Sequence, residues 1–523
     1  MFKQTITKKM DFKPLLNPNI VEIEDKPSEM IMGNNHRASK GESSSLEHEI
    51  KEACGVFGII APNEDVARLT FFGLYALQHR GQESCGIATF DHTNVSIHKN
   101  VGLVSQVFDE KVLAKLKGDI AIGHTRYSTT GSNQLCNAQP ILATFKNTKI
   151  TLAHNGNLVN ATFLRDFLIK QGYNFESTTD SEVMAKLVVY ELNTGKDLKS
   201  ALISTFKQCK GAFSVVVGTP DYLIAIRDPD AVRPLCIGIT SNSQYVIASE
   251  SCALDILGAS FIRDVAPGEI LIINKQQKLE SVLYVPEIKP HHCIFELIYF
   301  SRPDSTFKGL SIYHFRKELG RQLAKESPAM ADYVVTVPDS GTPAAIGFAE
   351  ELKLPFTEGL IKNRYIGRTF IQPSQMLREL GIRLKLNPLR DIIAGKRIVV
   401  VDDSIVRGNT SKKIVKLLKD SGAKEVHMRI SSPPVQWPCF YGIDIDSRDQ
   451  LIAANSKSID DITKFIGADS LKYISHEGMI KATSLKREVF CTACFSGEYP
   501  IDIPPELEGA KLRYEQYQKA TIT

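Results

Sequence analysis

Two stretches in the second half of the chain repeat one order of parts. "YVVTV" at 333–337 runs into "PDSGTP" and then "AAIGFAEEL"; "RIVVV" at 397–401 runs into "DDSIVRGN" and then "TSKKIVKLLKDSG". An unbroken apolar run suits a strand buried on both faces, and a helix after each such strand returns the chain for a parallel partner. This predicts an α/β region with a parallel sheet, whose ligands bind outside the carboxyl ends of the strands. The two polar loops occupy those ends.

The later loop has the more specific chemistry. Asp402 and Asp403 end the strand, Gly408 permits a tight path, and Thr410 or Ser411 can cap a helix with Ile414, Leu417 and Leu418 on one face and Gly422 as its stop. Amides at the helix start favour an anion such as phosphate. The paired carboxylates can accept from a vicinal diol or help hold hydrated Mg²⁺. On spacing alone, a strand-turn-helix unit with two solvated aspartates at its tip fits equally well. The GxxxxGK[ST] of a nucleotide P-loop is missing.

This loop resembles the phosphoribosyl-pyrophosphate motif of type I phosphoribosyltransferases. The resemblance implies that Asp402 and Asp403 meet ribose hydroxyls and Mg²⁺, that residues 406–411, among them Arg407, Gly408, Thr410 and Ser411, cradle the 5'-phosphate, and that Ser404 also binds phosphoribosyl pyrophosphate. The earlier loop then becomes the pyrophosphate loop, with Asp339, Ser340 and Gly341 against the diphosphate and Ser340 a further metal contact. Between the loops, "IKNRYIGRTFIQPSQMLREL" is basic and contains Arg364. It reads as an exposed basic segment or, by the resemblance, as a lid over the substrate.

The front of the chain has another texture. From Cys54 to about 285, short β-rich runs mix with helical periods such as "EVMAKLVVYEL", an α+β pattern, and "PEIKP" marks a linker. After Cys54 come, in order, "LQHRGQESCG", "GHTRYSTTG", "AHNGNL" and "TTDSEV". With the rear loops, these motifs resemble the amidophosphoribosyltransferase family over residues 54 to about 500. The implied architecture is a leader at 1–53, an N-terminal-nucleophile glutaminase domain (αββα sandwich) at 54–285, a phosphoribosyltransferase domain at 286–500 and a tail or helix at 501–523.

The resemblance implies that Cys54 becomes the N-terminus by cleavage after Ala53. Its α-amine, with a pKa of about 7.7–8.0, then serves as the base that an internal amide cannot be. Asn155 and Gly156 form the oxyanion hole, and Gly81, Arg126, Thr129 and Asp180 bind glutamine. Ammonia released there reaches the ribose of phosphoribosyl pyrophosphate, purine nucleotides act as feedback inhibitors, and the assembly is a homotetramer.

Of the ten cysteines, Cys491 and Cys494 form a CxxC. Alone this motif is split among zinc, redox and iron-sulfur roles. The resemblance adds Cys293 and Cys439, a set that suits a [4Fe-4S] cluster and that Zn²⁺ would also accept. Ten cysteines in 523 residues are too few for a disulfide scaffold, so a reducing compartment is expected. A net charge of +4 and the absence of a long apolar stretch imply no nucleic-acid or membrane partner. The leader has too many acids for a transit peptide and no apolar core for a secretory signal, which points to the cytoplasm and leaves an organellar address as the alternative. It is longer than the short propeptides of the cluster-bearing family members.

Three rivals stand beside this reading. A hexosamine-phosphate synthase or an asparagine synthetase would need a different rear domain. A non-catalytic sensor of phosphoribosyl pyrophosphate would have no use for the glutaminase motifs.

Overall fold

The computed structural model describes residues 54–505 apart from Thr93, 128–133, 364–384 and Asp446. The leader, Thr129, Arg364, most of the basic stretch and most of the 501–523 tail therefore lie outside the described residues.

Apolar and β-branched runs in the front half build two antiparallel sheets of seven and six strands. Strand Gly55–Ile60 lies inside the first, between Tyr245–Ala248 and Ile120–Arg126. Strand Thr148–Leu158 lies in the second, paired with Gly211–Gly218. Alternation sorts the side chains: Val56, Ile60, Ile120 and Ile122 meet Ala153, Val216 and Leu223 between the sheets. Phe57, Ile59 and Ile87 point outward to helix Val66–Ala76. On the far side, Leu152, Phe213 and Val215 support helices Asp180–Asn193 and Leu198–Gln208. The layers are thus α, β, β, α. Register is tightly held, since a one-residue slip would exchange the two cores.

The rear half contains a parallel sheet ordered Tyr333–Thr336, Arg397–Asp402, Glu425–Ile430, Ser470–Tyr473. Val399 and Val401 face helices Ile312–Glu326 and Thr342–Leu352, while Ile398 and Val400 face helices Asn409–Asp420 and Ile459–Ile466. Burial on both faces explains why these strands read as unbroken apolar runs. The first cluster also includes Val159, Ala212 and Val232, so the two halves share a core.

One local expectation needs correction. Thr410 and Ser411 lie inside the first helical turn, and the N-cap is Gly408, which has φ +76° and no side-chain cap. A Cβ on Gly408 would stand 2.7 Å from Ile452 Cδ1, so both conformation and space select glycine. The basic stretch is flanked by Leu360–Lys362 and Leu386–Pro388, which pair antiparallel. Among the described residues, no helix is long and apolar enough to cross a membrane.

Candidate active sites

Cys54 directly precedes its strand and is buried. Its Sγ lies 3.4 Å from Tyr127 O, and its carbonyl accepts from Arg80 Nε at 3.1 Å. Burial pushes the thiol's pKa up. The Tyr127 hydrogen bond and the charge of Arg126 oppose that rise, while Asp180 and Glu83 add to it. The fold therefore gathers Cys54, Arg126 and Asp180 into one electrostatic neighbourhood from positions 126 residues apart at the extremes. Arg126 ends the strand that pairs with Gly55–Ile60 and is itself buried. Gly81 follows the turn at Gln78–Arg80, and its backbone lies so close to Thr125 that a Cβ would stand 2.5 Å from the Thr125 carbonyl carbon.

Asp180 opens a helix capped by Thr179. Its Oδ2 accepts from the Leu158 N–H at 2.9 Å, and its Oδ1 lies 3.5 Å from His154 Nδ1. Burial alone would raise this carboxyl, but His154 and the amides of Leu158 and Ser181 outweigh it and hold the pKa below the usual aspartate value. Asn155 is fully buried, and neither its Oδ1 nor its Nδ2 has a hydrogen-bond partner among the described residues. An orphaned buried amide costs about 1–3 kcal/mol. Gly156 beside it has φ +147°, and a Cβ there would stand 2.0 Å from Ala212 O.

At the rear site, two adjacent parallel strands end side by side, so their loops meet. Ser340 Oγ donates to Asp403 Oδ2, Ser404 Oγ donates to Asp403 Oδ1 at 2.6 Å, and the Asp403 N–H donates to Asp402 Oδ1 at 2.9 Å. Both aspartates are buried, and burial raises Asp403 against the pull of the two serines and of Arg316. Asp339 receives Lys362 Nζ at 2.8 Å. Gly341 precedes helix Thr342–Leu352 as its N-cap. Ser411 is buried, Thr410 partly so, and Arg407 reaches Gln450. Carboxylate and hydroxyl oxygens around an under-neutralised Asp403 fit Mg²⁺.

Cys293, Cys439, Cys491 and Cys494 line one cavity together with Arg233 and Tyr441. A short parallel pairing sets Cys293 opposite Cys491, and the Tyr441 N–H lies 3.4 Å from Cys439 Sγ. Burial pushes Cys293 up to about 12 and Cys491 and Cys494 well above the usual thiol value. Among the described residues, no three His, Cys, Asp or Glu side chains converge closely enough to hold one metal ion. Four thiols lining one cavity are a donor set that a [4Fe-4S] cluster and Zn²⁺ both accept.

Four charged residues with no assigned role from sequence form a buried network: Arg80, Arg233, Glu250 and Glu296. Their partners are 63 to 216 residues apart in sequence, beyond any local pattern. The available signal was a lone carboxylate inside an apolar run, as in "CIFELIYF", because a buried acid requires a buried partner.

Residues 124–255 match the family model of a glutamine amidotransferase domain and residues 316–431 that of a phosphoribosyl transferase domain. An amidophosphoribosyltransferase of Synechococcus elongatus is 56% identical over 468 residues, covering 89% of this chain and 94% of its own. A solved structure described as the allosteric regulatory enzyme of purine biosynthesis matches with TM-score 0.83 and 46% identity, over 88% of this chain and 99% of that one. Glutamine phosphoribosylpyrophosphate (PRPP) amidotransferase from B. subtilis, complexed with ADP and GMP, matches with TM-score 0.82 and 46% identity, over 88% of this chain and 100% of that one.

Proposed function

The chain belongs to the amidophosphoribosyltransferase family, and from that premise we propose how its two halves divide the work. Glutamine, 5-phosphoribosyl-1-pyrophosphate and water become 5-phosphoribosylamine, diphosphate and glutamate, the entry to purine synthesis. Cleavage after Ala53 frees the α-amine of Cys54, which takes the thiol proton as sulfur attacks the glutamine carboxamide. The tetrahedral oxyanion accepts from Asn155 Nδ2 and the Gly156 N–H, a preorganised donation typically worth about 2.7–4 kcal/mol per donor. Collapse releases ammonia and leaves a glutamyl thioester, which water hydrolyses. Arg126 grips the glutamine carboxylate and Asp180 its ammonium, with Gly81 and Thr129 completing the pocket.

In the rear half, amides of the 339–341 loop receive the diphosphate. Asp402 and Asp403 accept from the ribose hydroxyls, and Ser404, Arg407, Gly408, Thr410 and Ser411 surround the 5'-phosphate, with Arg364 on the lid. Ser340, Asp402 and Asp403 would hold Mg²⁺, which would supply charge neutralisation for the leaving diphosphate. Ammonia passes internally from Cys54 to ribose C1. The four rear cysteines would hold a [4Fe-4S] cluster, which supplies a covalent tie across segments far apart in sequence. Purine nucleotides as inhibitors, a homotetramer and a cytoplasmic location complete the reading.

The observation that carries the division of labour is the buried Cys54 with Arg126 and Asp180 in electrostatic reach. Its test is Cys54→Ala. Glutamine-dependent synthesis should fall at least about 10⁴-fold while synthesis from added ammonia persists. Retention of glutamine use would refute the assignment. Intact-mass measurement of the purified protein should find residues 1–53 gone, and native mass should find the cluster.

A further inference from the structure

Each nitrogen of the Arg80 guanidinium donates a hydrogen bond. Nε donates to the Cys54 carbonyl at 3.1 Å, Nη1 to Glu250 Oε1, and Nη2 to Glu296 Oε1 at 2.6 Å. Glu250 belongs to the front half and is anchored by the Arg302 N–H at 2.9 Å and Ser305 Oγ at 2.7 Å. Glu296 comes from beyond the linker. It lies three residues after Cys293 and opens a π-helical turn, Glu296–Phe300, a form that often marks functional positions. The same Glu296 oxygen receives Arg233 Nη1 at 2.8 Å, and Arg233 Nε donates to Tyr441 O at 2.9 Å. The two arginines and two glutamates are all buried, and their formal charges cancel.

We propose that Glu296 is a positioning residue for the front reaction: it fixes Arg80, and through Arg80 the carbonyl and Cα of Cys54, so that the nucleophile is aimed only when the rear half is docked. This rests on the reading of Cys54 as nucleophile. A second contact from the same rear wall supports it. Asn157 Nδ2 donates to Phe440 O at 2.8 Å, and the backbone around Gly442 lies against Gly156, where a Cβ on Gly442 would stand 3.1 Å from the Gly156 Cα. Both the nucleophile and the oxyanion-hole segment are therefore backed by residues from beyond 290. A guanidinium held at three corners cannot swing, and an error of about 1 Å at a nucleophile can cost about 100-fold in rate.

The test uses the matured full-length protein. Glu296→Gln should lower kcat for glutamine hydrolysis about 10- to 100-fold with KM for glutamine within about threefold, and should leave ammonia-dependent synthesis within about twofold. Loss of a buried charge can also unfold the chain. Glu296→Gln with Arg233→Gln restores charge balance, and its melting temperature should recover while kcat stays low. Equal loss from glutamine and ammonia, full activity in Glu296→Gln, or recovery of kcat in the charge-balanced variant would each overturn the proposal. Cys54→Ala measured alongside separates the two claims: if that variant still uses glutamine, the nucleophile assignment has failed; if it does not and Glu296→Gln is unaffected, only the role of Glu296 has failed.

Discussion

Asp180 and Asp403 are both buried aspartates at the start or end of a regular element, and their acidities move in opposite directions. Asp180 has His154 at 3.5 Å and the Leu158 amide at 2.9 Å. Asp403 has two serine hydroxyls and the charge of Arg316, with Asp402 next to it in sequence. Burial penalises both equally in kind; the supply of positive charge and amide donors decides the outcome. The front site is electrostatically assembled before glutamine arrives. At the rear site, among the described residues, burial outweighs the partners of Asp403 and leaves its carboxyl raised.

Beyond Cys54→Ala, the largest expected effect separates the two halves. Replacing both rear acids, Asp402→Asn with Asp403→Asn, should reduce phosphoribosylamine formation about 1000-fold from glutamine and from ammonia alike, because the charge that neutralises diphosphate is no longer held. Glutamine hydrolysis should survive. If ammonia-dependent synthesis persists, the rear acids do not hold the substrate. Asn155→Ala should do the reverse, lowering kcat for glutamine about 100- to 1000-fold and sparing ammonia-dependent synthesis. An unchanged kcat would mean that the orphaned amide has some other partner in the complex.

Asp180→Asn tests the preassembled site more gently. Loss of a charge-assisted contact to the substrate ammonium is worth about 1.5–3 kcal/mol, so KM for glutamine should rise about 10- to 100-fold with a smaller change in kcat. A fall in kcat without a change in KM would place Asp180 in the chemistry and not in binding.

What the sequence made legible follows a physical line. The strand-loop-helix of 397–422 could be read because strand, loop and helix are contiguous, and the parallel sheet follows from that unit. The cap was misplaced at Thr410 or Ser411 because a left-handed Gly408 supplies the turn without any side-chain bond, leaving no hydroxyl signature. Motif order named Cys54, Asn155 and Asp180, and the structure brings Cys54 and Asp180 into one electrostatic neighbourhood. Glu83 and Tyr127, which touch Cys54 electrostatically or by hydrogen bond, lie inside two of the quoted motifs but received no role, since the contact runs through a backbone carbonyl and a long-range charge that residue type does not reveal. The Arg80–Glu296 pair spans 216 residues and exists only because two halves share a core. Long-range charge pairing is a property of the packed molecule, and the sequence shows it only as isolated charges in apolar surroundings.

The smallest effect is the sharpest test of the opening comparison, because the two aspartates should respond to pH with opposite signs. The folded pKa of Asp180 is lowered, so its stabilisation is fully present above the ordinary aspartate value of about 3.9 and is lost as pH falls through the lower folded value. Asp180→Asn should therefore melt below the parent at pH 7, with the gap closing below about pH 4. The folded pKa of Asp403 is raised, so its favourable contribution is present below about 3.9 and is lost as pH rises through the higher folded value. At pH 7 the ligand-free parent bears the cost of a buried charge that Asp403→Asn does not. That variant should melt a few degrees above the parent at pH 7, with the gap closing in acid, while being inactive. Thermal melts of ligand-free, Mg²⁺-free protein from pH 3.5 to 8 would decide it. Gaps of the same sign would mean that burial, and not the partners on each carboxylate, governs both sites.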